Sequence, residues 1–290
     1  MLLKLRKGDE INILAPSSFI DKEDDFTKGI KILENWGLKI NYNKSLLKRS
    51  GYFAGDDVTR FEELEKSKDS KLIIFAKGGW GSARLLEKDP NWGNGLMLGF
   101  SDTCSLLLSK YSQGAPGSIH GPMVTSLCRE PEWSLLRLKN LLFKGYVDDI
   151  KGISLRGGTA KGEIIVSNLT IATFLIGTNH FPDLKGKIII FEDINEEIYK
   201  IDRMLTYLRM TNNLHGINGI GFGNFASDES TTEWKDLLKN LIIERLKEFD
   251  FPIIFDLPIG HLSGNACIPL GCEATLNGDD GILSIHIPFN

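Results

Sequence analysis

The 290-residue chain has little of what marks the specialised classes of protein. Its four cysteines are too few for a disulfide framework at this length, and Cys104, Cys128, Cys267 and Cys272 form no C-x-x-C pair, so they read as reduced thiols in a cytoplasmic protein. Positive charge is in deficit: 34 basic against 38 acidic residues leave a net charge of −4. No Lys/Arg cluster forms a phosphate-binding stripe, so nucleic acid is not an expected partner. No apolar run approaches the ~20 residues that cross a bilayer, so neither is a membrane. The N-terminal Met1-Leu2-Leu3-Lys4-Leu5-Arg6-Lys7 mixes charge into its only apolar stretch, and Asp9-Glu10 follow at once, which does not suit an export signal. Repeats and low-complexity tracts are absent. What remains is ordinary globular composition, 42% hydrophobic and 25% charged. At roughly 150 residues per domain, the length suggests two domains.

The first half alternates short apolar runs with helical spacing. Ile11 to Pro16 reads as a strand. Asp21 to Trp36 reads as a helix, with Gly37 a natural cap. Leu38 to Tyr42 alternates as a half-buried strand does, and Asp56 to Lys66 carries the acidic first turn of a helix. Strands at Lys71–Ala76 and Gly95–Phe100 are followed by helices at Ala83–Lys88 and Thr103–Ser112. This order predicts a parallel sheet covered on both faces, with ligands at the turns after the strands. A helix at Glu132–Phe143 and a turn-rich stretch from Gly145 to Gly158 set the expected boundary near residue 150. Beyond it, strands are expected at Gly162–Val166, Gly186–Phe191 and Gly216–Gly221, and helices at Tyr199–Arg209 and Trp234–Phe249. From Pro252 onward the chain reads as strands and loops, with a hairpin turn at Asn277–Gly281.

Two turns could carry chemistry. Gly99-Phe100-Ser101-Asp102 puts a serine between a buried strand and a helix, where backbone N–H groups gather behind its hydroxyl. That suits a nucleophile whose intermediate is an oxyanion. G-x-S-D lacks the second glycine of G-x-S-x-G, and Ser101 or Asp102 could simply cap the helix. Lys77-Gly78-Gly79-Trp80-Gly81-Ser82 could aim N–H groups at an anion, or could be a tight turn only. It matches no nucleotide-binding motif.

A serine nucleophile needs a base and an acceptor to orient that base. His180, His215 and His286 read as structural or solvent-facing, whereas His120 and His261 sit among small residues that leave an imidazole accessible. Glu192-Asp193 ends an apolar run, where a carboxylate needs a partner, caps the next turn or pairs with Arg203. His261 with Cys267, or Glu192 with either histidine, could ligate a metal. No H-E-x-x-H or C-x-x-C spacing supports zinc, so neither metal nor cofactor is expected.

Seven segments in order resemble the LD-carboxypeptidase family of serine peptidases, which includes muramoyltetrapeptide carboxypeptidases and microcin C immunity peptidases. They are Ala15-Pro16-Ser17-Ser18; Gly51-Tyr52-Phe53-Ala54-Gly55 with Arg60; Gly78-Gly79-Trp80-Gly81-Ser82; Gly99-Phe100-Ser101-Asp102-Thr103; His120-Gly121-Pro122-Met123; Phe191-Glu192-Asp193 with Tyr199 and Asp202-Arg203; and Gly260-His261 with Pro269-Leu270-Gly271. The resemblance implies a triad of Ser101 as nucleophile, Glu192 as acid and His261 as base, with an oxyanion hole at the backbone N–H groups of Gly79 and Asp102. It implies an α/β fold: a flavodoxin-like parallel-sheet domain over residues 1–150 bearing the serine, and a β-rich α/β domain over 151–290 bearing Glu192 and His261. The active site would lie in the cleft between them, often in a homodimer. Lys77, Trp80 and Val166-Ser167-Asn168 depart from the family pattern, which more often has Arg, Tyr and a pair of glycines at these places.

The resemblance therefore implies a cytoplasmic carboxypeptidase that releases terminal D-alanine from a peptidoglycan stem peptide. Lys77 and Arg84 are candidates for holding the terminal carboxylate. An alternative is an immunity-type peptidase acting on a peptidyl-nucleotide antibiotic, with Trp80, Trp92 or Trp133 stacking the base or simply packing the core. A third possibility is a module that binds a small peptide or muropeptide without cutting it.

Overall fold

The computed structural model describes residues 3–225 and 231–288. Met1 and Leu2, the start of the charged N-terminal segment, lie outside the described residues. The first half forms β1 (Glu10–Leu14), α1 (Glu23–Asn35), β2 (Lys39–Asn41), α2 (Asp57–Ser67), β3 (Leu72–Phe75), α3 (Ser82–Leu85), β4 (Leu96–Gly99), α4 (Cys104–Ser112), β5 (Ser118–His120), α5 (Val124–Leu127) and α6 (Glu132–Lys144). The caps explain several ends. Asp56 accepts the Thr59 N–H at 2.7 Å to start α2. Gly37, at φ +91°, follows the end of α1 in the left-handed region that other residues resist.

The second half adds β6 (Ile150–Lys151), β7 (Ile153–Arg156), β8 (Thr159–Asn168), α7 (Leu169–Leu175), β9 (Ile188–Glu192), α8 (Ile198–Met210), β10 (Gly219–Phe222), α9 (Thr232–Arg245), β11 (Ile253–Phe255), β12 (Ile268–Pro269), β13 (Glu273–Asn277) and β14 (Ile282–His286). The expected elements are present, with ends shifted by a few residues. The short α5, α7 and the strand β5 had no counterpart in the sequence pattern, and β7 emerges from the stretch that read as turns.

Two sheets result. The first has strand order β12-β5-β4-β3-β1-β2. Strands β2, β1, β3, β4 and β5 run parallel, the doubly wound order of flavodoxin-like sheets. Strand β12 breaks the pattern: it comes from the far end of the chain and pairs antiparallel with β5, setting Ile268 beside His120. The second sheet has order β6-β14-β13-β8-β9-β10-β11-β7. Its centre, β8 to β11, is parallel, and antiparallel strands flank it on both sides.

Residues of β3, β4, β9 and β10 are buried along their whole length, as expected for strands covered on both faces. Their carboxyl ends are where backbone direction changes and side chains can leave the core. Ser101 follows β4, the glycine loop follows β3, and Glu192 is the last residue of β9. Among the described residues no helix is long and apolar enough to cross a membrane. All four cysteines carry free thiols.

Candidate active site

The turn after β4 is strained at one residue. Ser101 adopts φ +61°, the left-handed region that non-glycine residues seldom occupy. This conformation costs about 1 kcal/mol and must be repaid by its surroundings. A short 3₁₀ turn, Ser101–Thr103, then leads into α4, and neither Ser101 nor Asp102 caps it with a side chain. Asp102 instead is a buried cross-link. It accepts the Ser17 hydroxyl at 2.5 Å and the Ser82 N–H at 2.9 Å, while Ser82 Oγ donates to the Asp102 carbonyl at 2.7 Å. Burial pushes its carboxyl above the usual range, and these bonds act against that. The loops after β1, β3 and β4 are thereby tied together. Arg60 adds a clamp, donating to Pro16 O and to Gly81 O from within the core.

The glycine loop lies against this turn. Gly79, at φ +108°, passes so close to Ser18 that a Cβ would stand 2.2 Å from Ser18 Oγ. Only glycine fits both the angle and the space. The backbone N–H groups of Gly79 and Asp102 find no acceptor among the described residues.

The third element comes from the second sheet. Gly260, at φ +128°, carries the chain over Glu192, where a Cβ would meet Glu192 Oε2 at 3.0 Å. The next residue is His261. Its Nδ1 lies 2.8 Å from Glu192 Oε2 and its Nε2 lies 3.0 Å from Ser101 Oγ. Ser101, His261 and Glu192 thus form one continuous contact chain across the two sheets. Phe100 packs edge-on against the His261 ring at 4.9 Å.

Glu192 is fully buried. Burial alone would raise its carboxyl, but the charge and hydrogen bond of His261, with His120 lying close by, hold it down to about 2. The reciprocal effect acts on His261. Burial lowers it, while the charge and hydrogen bond of Glu192, with the charge of Asp193, raise it above its ordinary value. Asp193 points elsewhere. It accepts bonds from Asn168 Nδ2, from Thr170 N and Oγ1, and from Ile194 N, so it caps the local turns and makes no pair with Arg203. Burial and the neighbouring Glu192 charge push it up to about 6.

The other candidates fall away from the chain of contacts. His180 bonds Ser109, His215 packs on Phe249, and His286 bonds Thr275. Lys77 pairs with Asp21, and Arg84 pairs with Asp57. His261 and Phe100 border a cavity of about 1090 Å³ whose wall includes Arg129, Glu130, Glu196 and Trp234. Arg129 is the one lysine or arginine among the described lining residues, and no motif in the sequence pointed to it. His120 is fully buried behind Glu192, not accessible as its small neighbours suggested. Cys104, His120 and Glu192 bring a thiol, an imidazole and a carboxylate oxygen within 4.8 Å of one another, a donor set that could hold a metal ion.

Comparison with known proteins agrees with this architecture. The family model for the LD-carboxypeptidase N-terminal domain matches residues 11–121, and that for the C-terminal domain matches residues 161–276. A Synechocystis protein, slr1534, is 36% identical over 293 residues, covering 97% of this chain and 96% of the relative. The murein tetrapeptide carboxypeptidase of Pseudomonas aeruginosa is 28% identical, with 93% of each chain covered. Among solved structures, the microcin C7 self immunity protein MccF superposes with TM-score 0.86 at 20% identity, covering 100% of this chain and 99% of the other. The muramoyltetrapeptide carboxypeptidase of Oxalobacter formigenes gives 0.84 at 23% identity, covering 96% and 99%. The matches define a serine-type carboxypeptidase. The chain belongs to the LD-carboxypeptidase family.

Proposed function

We propose that the protein is a cytoplasmic LD-carboxypeptidase that releases terminal D-alanine from peptidoglycan-derived tetrapeptides. The observation that carries this reading is the contact chain from Ser101 Oγ through His261 to Glu192, at 3.0 and 2.8 Å. Ser101 Oγ attacks the carbonyl before the terminal residue as its proton passes to His261 Nε2. Glu192 holds the Nδ1–H tautomer and stabilises the imidazolium. The N–H groups of Gly79 and Asp102 receive the oxyanion. His261 then protonates the leaving amine, and water, activated by the same imidazole, hydrolyses the acyl-enzyme. Arg129 is the cation available in the cavity to a substrate carboxylate.

On this reading the chain divides into residues 1–150, bearing the nucleophile, and 151–290, bearing acid and base. The two family matches fall on either side of that boundary, and β12 stitches the halves together by returning to the first sheet. A homodimer, implied by family resemblance, is consistent with the exposed Phe174, Tyr207 and Met210, and sedimentation would measure it. The test of the activity is D-alanine release from a stem tetrapeptide. Wild type should release it, and Ser101→Ala and His261→Ala should each lose at least about 10⁴-fold. Release that survives both substitutions sinks the triad.

The second reading, an immunity-type peptidase, is supported by the likeness to MccF, a likeness of fold. The cavity wall carries Trp234, not Trp80, Trp92 or Trp133. Comparing turnover of a stem tetrapeptide with that of an aminoacyl-sulfamoyl adenosine decides between the two readings.

A further inference from the structure

Glu192 has two oxygens, and the contact chain uses one. Oε2 meets His261 Nδ1 at 2.8 Å, while Oε1 is buried with no hydrogen-bond partner. The carboxylate has 0% exposure, so that oxygen is closed off from bulk solvent and its surroundings are set by the side chains packed against it. Facing it, 3.7 Å away, is Nε2 of His120. His120 is also 0% exposed, and neither of its ring nitrogens has another partner.

We propose that His120 is a positioning residue for the triad carboxylate, holding Oε1 so that Oε2 stays on His261. The inference rests on reading Ser101, His261 and Glu192 as the triad. At 3.7 Å the pair makes an electrostatic and steric contact rather than a full hydrogen bond. With its proton on Nε2, the imidazole dipole favours Oε1 where it lies. The ring also blocks the carboxylate from swinging away from His261. The remaining neighbour, the Cys104 thiol, cannot replace it: burial and the Glu192 charge raise that thiol and keep it protonated, and S–H is a weak donor.

Topology strengthens the assignment. His120 ends β5 and is the register partner of Gly99 in β4, two residues before Ser101. Glu192 ends β9 of the other sheet. The His120–Glu192 contact therefore ties together the same two sheets that must stay in place for Ser101 and His261 to meet. Phe100 makes T-shaped contacts with both imidazoles, at 5.9 Å from His120 and 4.9 Å from His261. His120 touches neither substrate nor reacting atoms; it acts through Glu192.

The test compares His120→Ala, His120→Leu and His120→Gln with wild type, each checked for folding by thermal melt. His120→Ala and His120→Leu should lower kcat about 10–100-fold, as loss of supporting residues around a reactive group does, with KM within about threefold. His120→Gln, whose amide can donate to Oε1, should recover part of the loss. Proton NMR supplies a readout independent of turnover: the deshielded Nδ1–H signal of His261 should be sharp in wild type and broadened or lost in the Ala and Leu variants. If His120→Ala does not fold, His120→Leu against His120→Gln carries the comparison. Folded variants with wild-type kcat and an unchanged His261 signal would overturn the proposal, as would a change confined to KM. So would a stoichiometric metal retained by wild type and lost with His120, which would make the cluster a metal site. A wild-type protein that releases no D-alanine counts against the proposed function alone, because the NMR comparison still decides the role of His120.

Discussion

Gly78 faces Ser101 so closely that a methyl group added to Gly78 would stand 3.0 Å from both Cβ and Oγ of the serine, and 3.3 Å from Met123 Cε. Ser101 is already held in a left-handed conformation and has little room to yield. Gly78→Ala should therefore leave the fold intact but move Oγ by tenths of an ångström from His261. We expect kcat for D-alanine release to fall by about 10²-fold, the scale on which small misplacements act, with a melting temperature close to wild type. Unchanged kcat would mean that the serine can shift freely.

Removing the charge at Glu192 should change how activity depends on pH. On the proposed mechanism His261 must be neutral to accept the Ser101 proton, so kcat/KM should rise with pH as His261 deprotonates. Burial lowers the His261 pKa, but the Glu192 charge and hydrogen bond outweigh it and raise it above 6.5. In Glu192→Gln that opposing charge is gone, so the acidic limb should move to lower pH. The maximal rate should also drop by about 10³–10⁴-fold as the tautomer is no longer fixed. A pH–rate profile of the two proteins checks both effects.

The Asp102 carboxylate joins the loops after β1 and β3 to the turn that carries Ser101 through Ser17 and Ser82. Asp102→Ala would leave these buried donors unpaired. We expect a loss of about 2–4 kcal/mol in urea unfolding, together with lower activity, because Ser101 and the N–H of residue 102 share the turn. A conservative Ser17→Ala should cost less, since one donor is removed with its bond.

Lys110 offers a stability test away from the site. It is 2% exposed, donates to Gly93 O, and is pushed down to about 8 by burial. With its folded value below the ordinary 10.5, the unfolded chain binds more protons between about pH 8 and 10.5. Stability linked to Lys110 therefore rises with pH through that window, and below it the desolvation cost is carried in full. Lys110→Met should stabilise the protein at pH 7 by about 1–2 kcal/mol, the cost of burying the charge less one hydrogen bond. The gain should shrink by pH 10. Denaturant unfolding at both pH values measures it.

The parallel first sheet was legible because β3 and β4 are short buried runs and β1 carries apolar residues at Ile11, Ile13 and Leu14, each strand being followed by helical spacing. β5 was not: it is three residues long and sits close behind Pro116 and Gly117, too short for any periodicity. α7 was missed for a related reason. It begins directly after β8, with Asn168 accepting the Ile171 N–H as its cap, so no loop announces it. Within the site, Ser101, Glu192 and His261 were marked by neighbouring glycines and strand ends. Arg129 carried no such mark, and its place in the cavity wall follows from how α5 and the loop around Ser263 pack, with Ser263 Oγ donating to Arg129 O at 3.0 Å.

Local sequence determined what depends on neighbours along the chain: strands from apolar runs, helix ends from Asp56 and Gly37, and tight turns from glycines that alone tolerate positive φ. Tertiary structure alone decided which distant groups meet. Lys77 and Arg84 were drawn to Asp21 and Asp57, His120 was sealed behind Glu192, and β12 returned to the first sheet. Such pairings depend on competition among all charged and polar groups for burial and partners, and that competition is settled only when the whole chain has packed.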